Sequence, residues 1–122
     1  MSRASESSSR DSANRSPPPL YRDSGTLAEW ILGRFQDDAR PLGRRLCEQA
    51  IRLLELVVLA LKGREREERI ADAEERVICL RADLRIAAAL GQLDDEQLLY
   101  ALGLLDAIGR QLGGWARSLG GC

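Results

Sequence analysis

Apolar residues in the second half of the chain recur every three or four positions, the spacing of a helix that packs along one stripe. One run of this pattern comprises Ile70, Ala73, Val77, Leu80, Leu84 and Ala87. A second run places leucine at every seventh position from Leu98 to Leu119, behind Asp94 and Gln97 at capping-box spacing. A strand would alternate with a period of two, so the pattern predicts two long helices separated by a turn at Gly91.

Two further helices are predicted in the first half of the chain. Thr26 and Glu29 have capping-box spacing and precede apolar residues at helical intervals, so a short first helix is predicted to start near residue 26. The second helix is predicted from Pro41 to Lys62, because proline is tolerated in a first helical turn. No segment favours a strand. The predicted fold is therefore all-α, an antiparallel four-helix bundle of residues 26–122.

The first 25 residues are rich in serine, arginine and proline and have few apolar side chains. Such a composition cannot form a core, so residues 1–25 are predicted to be a disordered leader before a single domain. With 18 basic and 19 acidic residues, the chain lacks the bulk positive charge that attracts nucleic acid. The longest apolar run, residues 56–61, is too short to cross a bilayer, and a cytoplasmic location without membrane contact is expected.

No arrangement of residues predicts catalysis, a metal site or a cofactor site. Histidine, the usual general base and the commonest metal ligand, is absent from the sequence. Cys47, Cys79 and Cys122 lack the spacing of a zinc site or a disulfide framework. The glycine-rich segments lack the lysine and hydroxyl residues that end a phosphate-binding loop. The chain is therefore predicted to be non-enzymatic, without a small-molecule substrate.

Arginine supplies the candidate contacts with a charged partner, because its guanidinium group binds phosphate or carboxylate in a forked geometry. The candidates are Arg40, Arg44, Arg45, Arg52, Arg64, Arg66, Arg69, Arg81 and Arg85. An oligomer would multiply them into a surface for RNA or for an acidic protein. The glutamates between them favour the alternative of a solvated helix face that is crossed by ion pairs.

A second set of residues suggests a surface for self-association. Small residues in the last helix let another backbone approach closely, and apolar residues outside the predicted core would be covered by a partner. The set comprises Leu56, Leu59, Ile78, Gly103, Ala107, Gly109, Gly113 and Gly114. The third predicted helix adds a weaker outer stripe of Ala71, Ile78, Ala82 and Ala89. The alternative for Gly113 and Gly114 is a local kink or frayed helix end.

The closing segment LLDAIGRQLGGW, Leu104 to Trp115, resembles the last helix of a known bundle family. This family contains Avd, the accessory variability determinant of diversity-generating retroelements, and proteins encoded in intervening sequences of bacterial ribosomal RNA genes. The residues that match its closing element are Ile108, Gly109, Arg110, Leu112, Gly113, Gly114 and Trp115. RFQDDARPLGRRL and LRADLRIAAALGQLDDEQLLYA extend the resemblance over roughly Leu27 to Leu119.

The Avd-like resemblance implies a four-helix bundle that assembles as a homopentamer and has no catalytic site. It also implies partnership with a reverse transcriptase and its template RNA during mutagenic retrohoming. Family members in retroelements are strongly basic, whereas this chain is nearly neutral. Avd-like bundles also occur away from retroelements, so the alternative is an oligomeric protein–protein adaptor in a bacterial conflict or signalling system, without nucleic-acid binding.

Overall fold

Four helices make up most of residues 18–120, the part of the chain that the computed structural model describes. They are α1 (Pro19–Phe35), α2 (Pro41–Leu61), α3 (Arg66–Ala89) and α4 (Asp95–Gly120). Within residues 18–120 no segment is a strand, which confirms the all-α prediction. None of these helices is both long enough and apolar enough to span a membrane.

The residues at the helix ends explain where each helix begins and stops. Gly63 and Gly91 follow α2 and α3 with φ of +78°, a left-handed conformation that glycine adopts without steric cost. At the start of α4 the backbone N–H of Gln97 donates to the Asp94 carboxylate at 2.8 Å, and the Asp94 N–H donates to the Gln97 side chain at 2.9 Å. The capping box predicted at this place is therefore confirmed.

The prediction for the start of α1 was wrong, because α1 begins at Pro19, seven residues before Thr26. Proline is preorganised for the first helical turn, and Leu20 and Ser24 place a buried stripe ahead of Leu27. Thr26 is therefore an exposed residue inside the helix and not its cap. The predicted boundary at residue 26 falls within α1, and the predicted leader over residues 1–17 lies outside the described part of the chain.

The four helices form a ring in which each packs against two others, α1 and α3 both lying between α2 and α4. Arg45, near the start of α2, pairs with Asp83 in the last third of α3 at 3.0 Å. Gln111, late in α4, donates to Asp23 near the start of α1 at 2.9 Å. Neighbouring helices therefore run in opposite directions, as in an antiparallel four-helix bundle.

The core is built from the predicted apolar stripes. The stripe of α3 from Ile70 to Ala87 is buried at all six predicted positions. In α4, Leu105 and Leu112 are fully buried, and Leu98 and Leu119 at the ends of the leucine repeat pack against the core with part of their surface exposed. The heptad spacing thus identified the inward faces of both helices.

Leu56 does not lie on the surface, contrary to the prediction. It is only 1% exposed, because α2 packs against α1 and α3 and so buries a wider arc than one stripe. Leu56 is two turns beyond Gln49, which donates a hydrogen bond to Asp83 of α3. Ile51, in the same helix, is 40% exposed.

Candidate interaction surfaces

Most of the candidate arginines form ion pairs within the chain. Five of the nine pair with carboxylates of the same chain, and these pairs are Arg40–Asp38, Arg45–Asp83, Arg52–Glu55, Arg69–Glu65 and Arg81–Asp106. The N···O distances range from 2.7 Å in the first pair to 3.3 Å in the third. In each pair the carboxylate neutralises the positive charge that would otherwise attract an RNA phosphate. The arrangement therefore favours an ion-paired surface over an RNA-binding one.

Arg40 is held at the turn between α1 and α2. Its Nε and Nη2 donate to the two oxygens of Asp38 at 2.9 and 2.7 Å, and its backbone N–H donates to Oδ1 at 2.9 Å. These side-chain and backbone hydrogen bonds lower the pKa of Asp38 from 3.8 to about 2. Gly43 packs against the same carboxylate, and a Cβ on Gly43 would lie 2.8 Å from Asp38 Cβ. The turn is thus fixed by local contacts.

The Asp38 carboxylate is expected to titrate with a midpoint near pH 2, and Arg40→Gln is expected to return the midpoint toward 3.8. Because the folded-state pKa is the lower one, the stabilisation by Asp38 is complete above pH 3.8 and is lost as the pH falls through about 2. The carboxyl ¹³C chemical shift of Asp38, followed against pH by NMR, measures both midpoints. Equal midpoints in the two proteins would contradict the assignment to Arg40.

Asp83 connects α2 and α3 through two donors. Arg45 Nε approaches one carboxylate oxygen at 3.0 Å, and the buried Gln49 side chain donates to the same oxygen. The Gln49 Nε2 thus donates to Asp83, whereas the Gln49 Oε1 is buried without a hydrogen-bond partner within residues 18–120. Arg45 is therefore part of a helix–helix contact.

Arg66, the first residue of α3, contacts two other helices of the bundle. Its Nε donates to the Ala60 carbonyl oxygen at 2.9 Å, and its guanidinium carbon lies 5.1 Å from the centre of the Trp115 ring. The contact joins the end of α2, the start of α3 and the end of α4 by a hydrogen bond and a cation–π interaction. Trp115, which carries the family resemblance, is thus a packing residue in this bundle.

The remaining candidate arginines, Arg44, Arg64 and Arg85, pair with no carboxylate within residues 18–120. Arg44 makes a 3.5 Å contact from Nη2 to the Ala39 carbonyl at the start of α2. Arg64 and Arg69 line one concavity of about 640 Å³ beside Glu65, which has a left-handed φ of 48°. Arg85 is exposed far along α3. The candidate arginines are thus distributed over α2, α3 and the connections that precede these helices.

The small residues of α4 are only partly a free surface. Gly109 lies inside the bundle, where a Cβ would sit 3.8 Å from Val77 of α3. Gly113 and Gly114 lie beside the Arg117 guanidinium, and α4 runs through both without interruption. Gly103 is exposed with open space above it, and Ala107, like Leu59 of α2, is partly buried. The self-association surface stays a prediction, with Gly103, Ala107 and Leu59 at least partly exposed and Gly109 turned toward α3.

Sequence reasoning missed an apolar groove between α1 and α2. Tyr21, Gly25, Ile51 and Leu54 line a concavity of about 410 Å³, and Leu54 also lines a second of the same volume that continues along α2. The second concavity is lined by Val58 and Leu59 together with Arg52 and Glu55, all residues of α2. We call the two together the α1–α2 groove. The sequence did not predict this groove, because α1 was predicted to start at residue 26 and Tyr21 was assigned to the disordered leader.

Carboxylates and cysteines are the side chains of this sequence that could hold a metal ion, because histidine is absent. No group of three or more cysteine, aspartate or glutamate side chains within residues 18–120 is placed to hold a metal ion. Burial raises the pKa of the Cys47 thiol, and the nearby Asp38 and Glu48 charges raise it further. A raised pKa leaves the thiol protonated and therefore a poor nucleophile at neutral pH.

Comparison with known proteins identified no relative of this chain. No protein-family model, no curated protein and no solved structure matches this chain. The Avd-like resemblance therefore rests on the residues quoted from the sequence, and the family assignment stays a prediction.

Proposed function

We propose that the chain is a non-enzymatic helical adaptor that binds another protein through the α1–α2 groove. The observation that carries the proposal is that large apolar side chains are exposed within the groove. Tyr21 is 41% exposed and Ile51 is 40% exposed. Exposed apolar side chains gathered in a groove are typical of protein-binding sites, and tyrosine is enriched among the residues that dominate binding energy.

The shape and rim of the groove favour an amphipathic helix as the partner segment. The groove follows two neighbouring helices, and a helix laid along it would insert apolar side chains at three- and four-residue intervals. Arg22 and Glu29 flank one part of the groove, and Arg52 and Glu55 flank the other. Charges of both signs at the rim suit a partner helix whose polar face carries both signs as well.

The charge distribution supports a protein partner over RNA. The chain has 18 basic and 19 acidic residues, and five of the candidate arginines already face carboxylates of the same chain. RNA binding depends on unpaired cations that displace counterions from phosphates. A protein-binding groove needs no such excess, so this proposal agrees with the adaptor alternative of the Avd-like resemblance.

Selection of amphipathic helical peptides from a display library against the purified protein tests the proposal. Selected peptides are expected to shift NMR resonances of α1 and α2, and Ile51→Arg is expected to weaken their binding by roughly tenfold or more, since a charge would enter the apolar groove. Leu99→Arg, which introduces the same charge at an exposed apolar residue of α4, is the control and should leave binding unchanged. Peptides that bind elsewhere, or that tolerate Ile51→Arg, would contradict the proposal.

A second candidate function is the accessory role in a reverse transcriptase–RNA complex, with assembly as a homopentamer. It is favoured by the match of Ile108 to Trp115 with the family's closing element. Arg44, Arg64 and Arg85, which pair with no carboxylate among residues 18–120, would then be available phosphate contacts. This role requires RNA affinity that falls as the salt concentration rises.

A further inference from the structure

The outer face of α3 carries a second heptad seam that no other helix of the bundle covers. Its positions follow one another at intervals of four, three, four, three and four residues. They are Ala71, Glu75, Ile78, Ala82, Arg85 and Ala89, and all six are exposed. Ile78 is 68% exposed, and the neighbouring Ile86 is 49% exposed. We call these six residues the outer seam. An exposed seam of this spacing is suited to pack against another helix.

If a second copy of the outer seam ran in the opposite direction, each residue of the seam would face a complementary residue. Residues at equal distance from residue 80 would then face each other. Ala71 would lie opposite Ala89, and Glu75 would lie opposite Arg85. The two central positions, Ile78 and Ala82, pair a large with a small apolar residue. We propose that two copies of the chain associate through an antiparallel α3–α3 contact with a twofold axis at residue 80.

Charge selects the antiparallel direction. A parallel pair would place Glu75 against Glu75 and Arg85 against Arg85, which repel. The antiparallel pair places Glu75 of each copy against Arg85 of the other, and the twofold axis repeats this ion pair. Within residues 18–120 neither side chain forms an ion pair in its own chain, so both are available for the contact.

Side-chain size favours the same register. Ile78 of each copy would lie against Ala82 of the other, so its exposed surface would be buried at the centre of the contact. The alanines at both ends allow the helix axes to approach to about 8 Å, the short end of the usual range. Large side chains at Ala71 and Ala89 would hold the two helices apart.

This contact is separate from the proposed partner site and from a cyclic pentamer. The α1–α2 groove lies on other helices, so one copy can use both surfaces. A twofold contact joins identical surfaces and closes after two copies, whereas a pentamer needs two different surfaces. The outer-seam contact therefore predicts a dimer.

Molar mass from light scattering tests the contact with three proteins. The native chain and Ile51→Arg are expected to dimerise, whereas Ile78→Arg is expected to be monomeric and to keep its helical circular dichroism. Glu75→Arg is expected to weaken the dimer by roughly tenfold, and adding Arg85→Glu to restore it, because the ion pairs are then exchanged. A native chain that stays monomeric up to about 100 μM, or an oligomer insensitive to Ile78→Arg, would overturn the proposal.

Cross-linking tests the register in a background where the native cysteines are replaced by alanine. A mixture of Ala71→Cys and Ala89→Cys proteins is expected to form a disulfide between the two variants under oxidation. Each variant alone is expected to remain uncross-linked, because its two cysteines would lie about 27 Å apart in the antiparallel pair. Efficient cross-linking of Ala71→Cys alone would indicate a parallel pair and overturn the proposed geometry.

Discussion

Replacing Leu56 with alanine is expected to lower the free energy of unfolding by about 2–5 kcal/mol. Leu56 is 1% exposed and lies on the face of α2 that packs against α3, so the shorter side chain leaves a cavity in the core. The position would be neutral for folding if Leu56 belonged to a surface between subunits, as the helical pattern alone suggested. Urea denaturation of the native and variant chains, at equal protein concentration, measures the difference.

Leu59→Ala is the matched control, since Leu59 lies in the same helix and is only partly buried. Its substitution is expected to cost about 1 kcal/mol or less, because less apolar area is lost from a site that water already reaches. Equal losses for the two variants would contradict the distinction between a core position and a groove position. A stable Leu56→Ala chain with altered molar mass would instead support a subunit contact.

Replacing Asp83 with alanine is expected to lower the free energy of unfolding by about 1–3 kcal/mol. The substitution removes the acceptor of the buried Gln49 amide and the partner of Arg45, and both groups lie at the α2–α3 contact. The larger part of the loss comes from leaving the Gln49 amide without an acceptor, because the Arg45 side chain reaches solvent. Thermal and urea unfolding measure the loss.

Asp106→Ala is the control for Asp83. Asp106 of α4, like Asp83, pairs with an arginine of a neighbouring helix, in this case Arg81 of α3 at 2.8 Å. Its side chain is 53% exposed, whereas that of Asp83 is 13% exposed. Water screens such a pair, so the expected loss is about 1 kcal/mol or less. If Asp106→Ala destabilised the chain as much as Asp83→Ala, the account of a buried amide network would be wrong.

The parts of the fold that the sequence predicted are those governed by local periodicity. The buried stripe of α3 and the Asp94–Gln97 capping box follow from spacings of three, four and seven residues within one helix. The bounds of α2 were predicted within one residue, because Pro41 and Gly63 mark its ends. Such signals do not depend on which helices are neighbours.

The parts that the sequence missed depend on contacts between helices. Leu56 looked exposed because one helical wheel cannot show that α2 has two neighbours. The start of α1 was misplaced because residues 21–26 are mostly polar, and Leu20 and Ser24 become a buried stripe only when α4 and α2 pack against them. The α1–α2 groove remained hidden for the same reason.

The candidate site was predicted less well than the fold. The sequence identified arginines by type, but two of the five paired arginines have partners on another helix, as Arg45 has in Asp83 across 38 positions. The register between two helices decides whether such an arginine is paired or free for phosphate, and that register is a property of the packed core. The outer stripe of α3, in contrast, was visible in the sequence, because exposure on one helix is again a periodic feature.

The central claim is that this bundle binds other protein helices and not RNA. Fluorescence anisotropy of a labelled structured RNA, titrated with the native chain at about 50 and 200 mM salt, tests it most directly. The account predicts no saturable binding at either salt concentration, because most candidate arginines are paired with carboxylates. Saturable binding at low salt that weakens steeply at high salt, and that is lost in Arg64→Glu/Arg85→Glu, would contradict it.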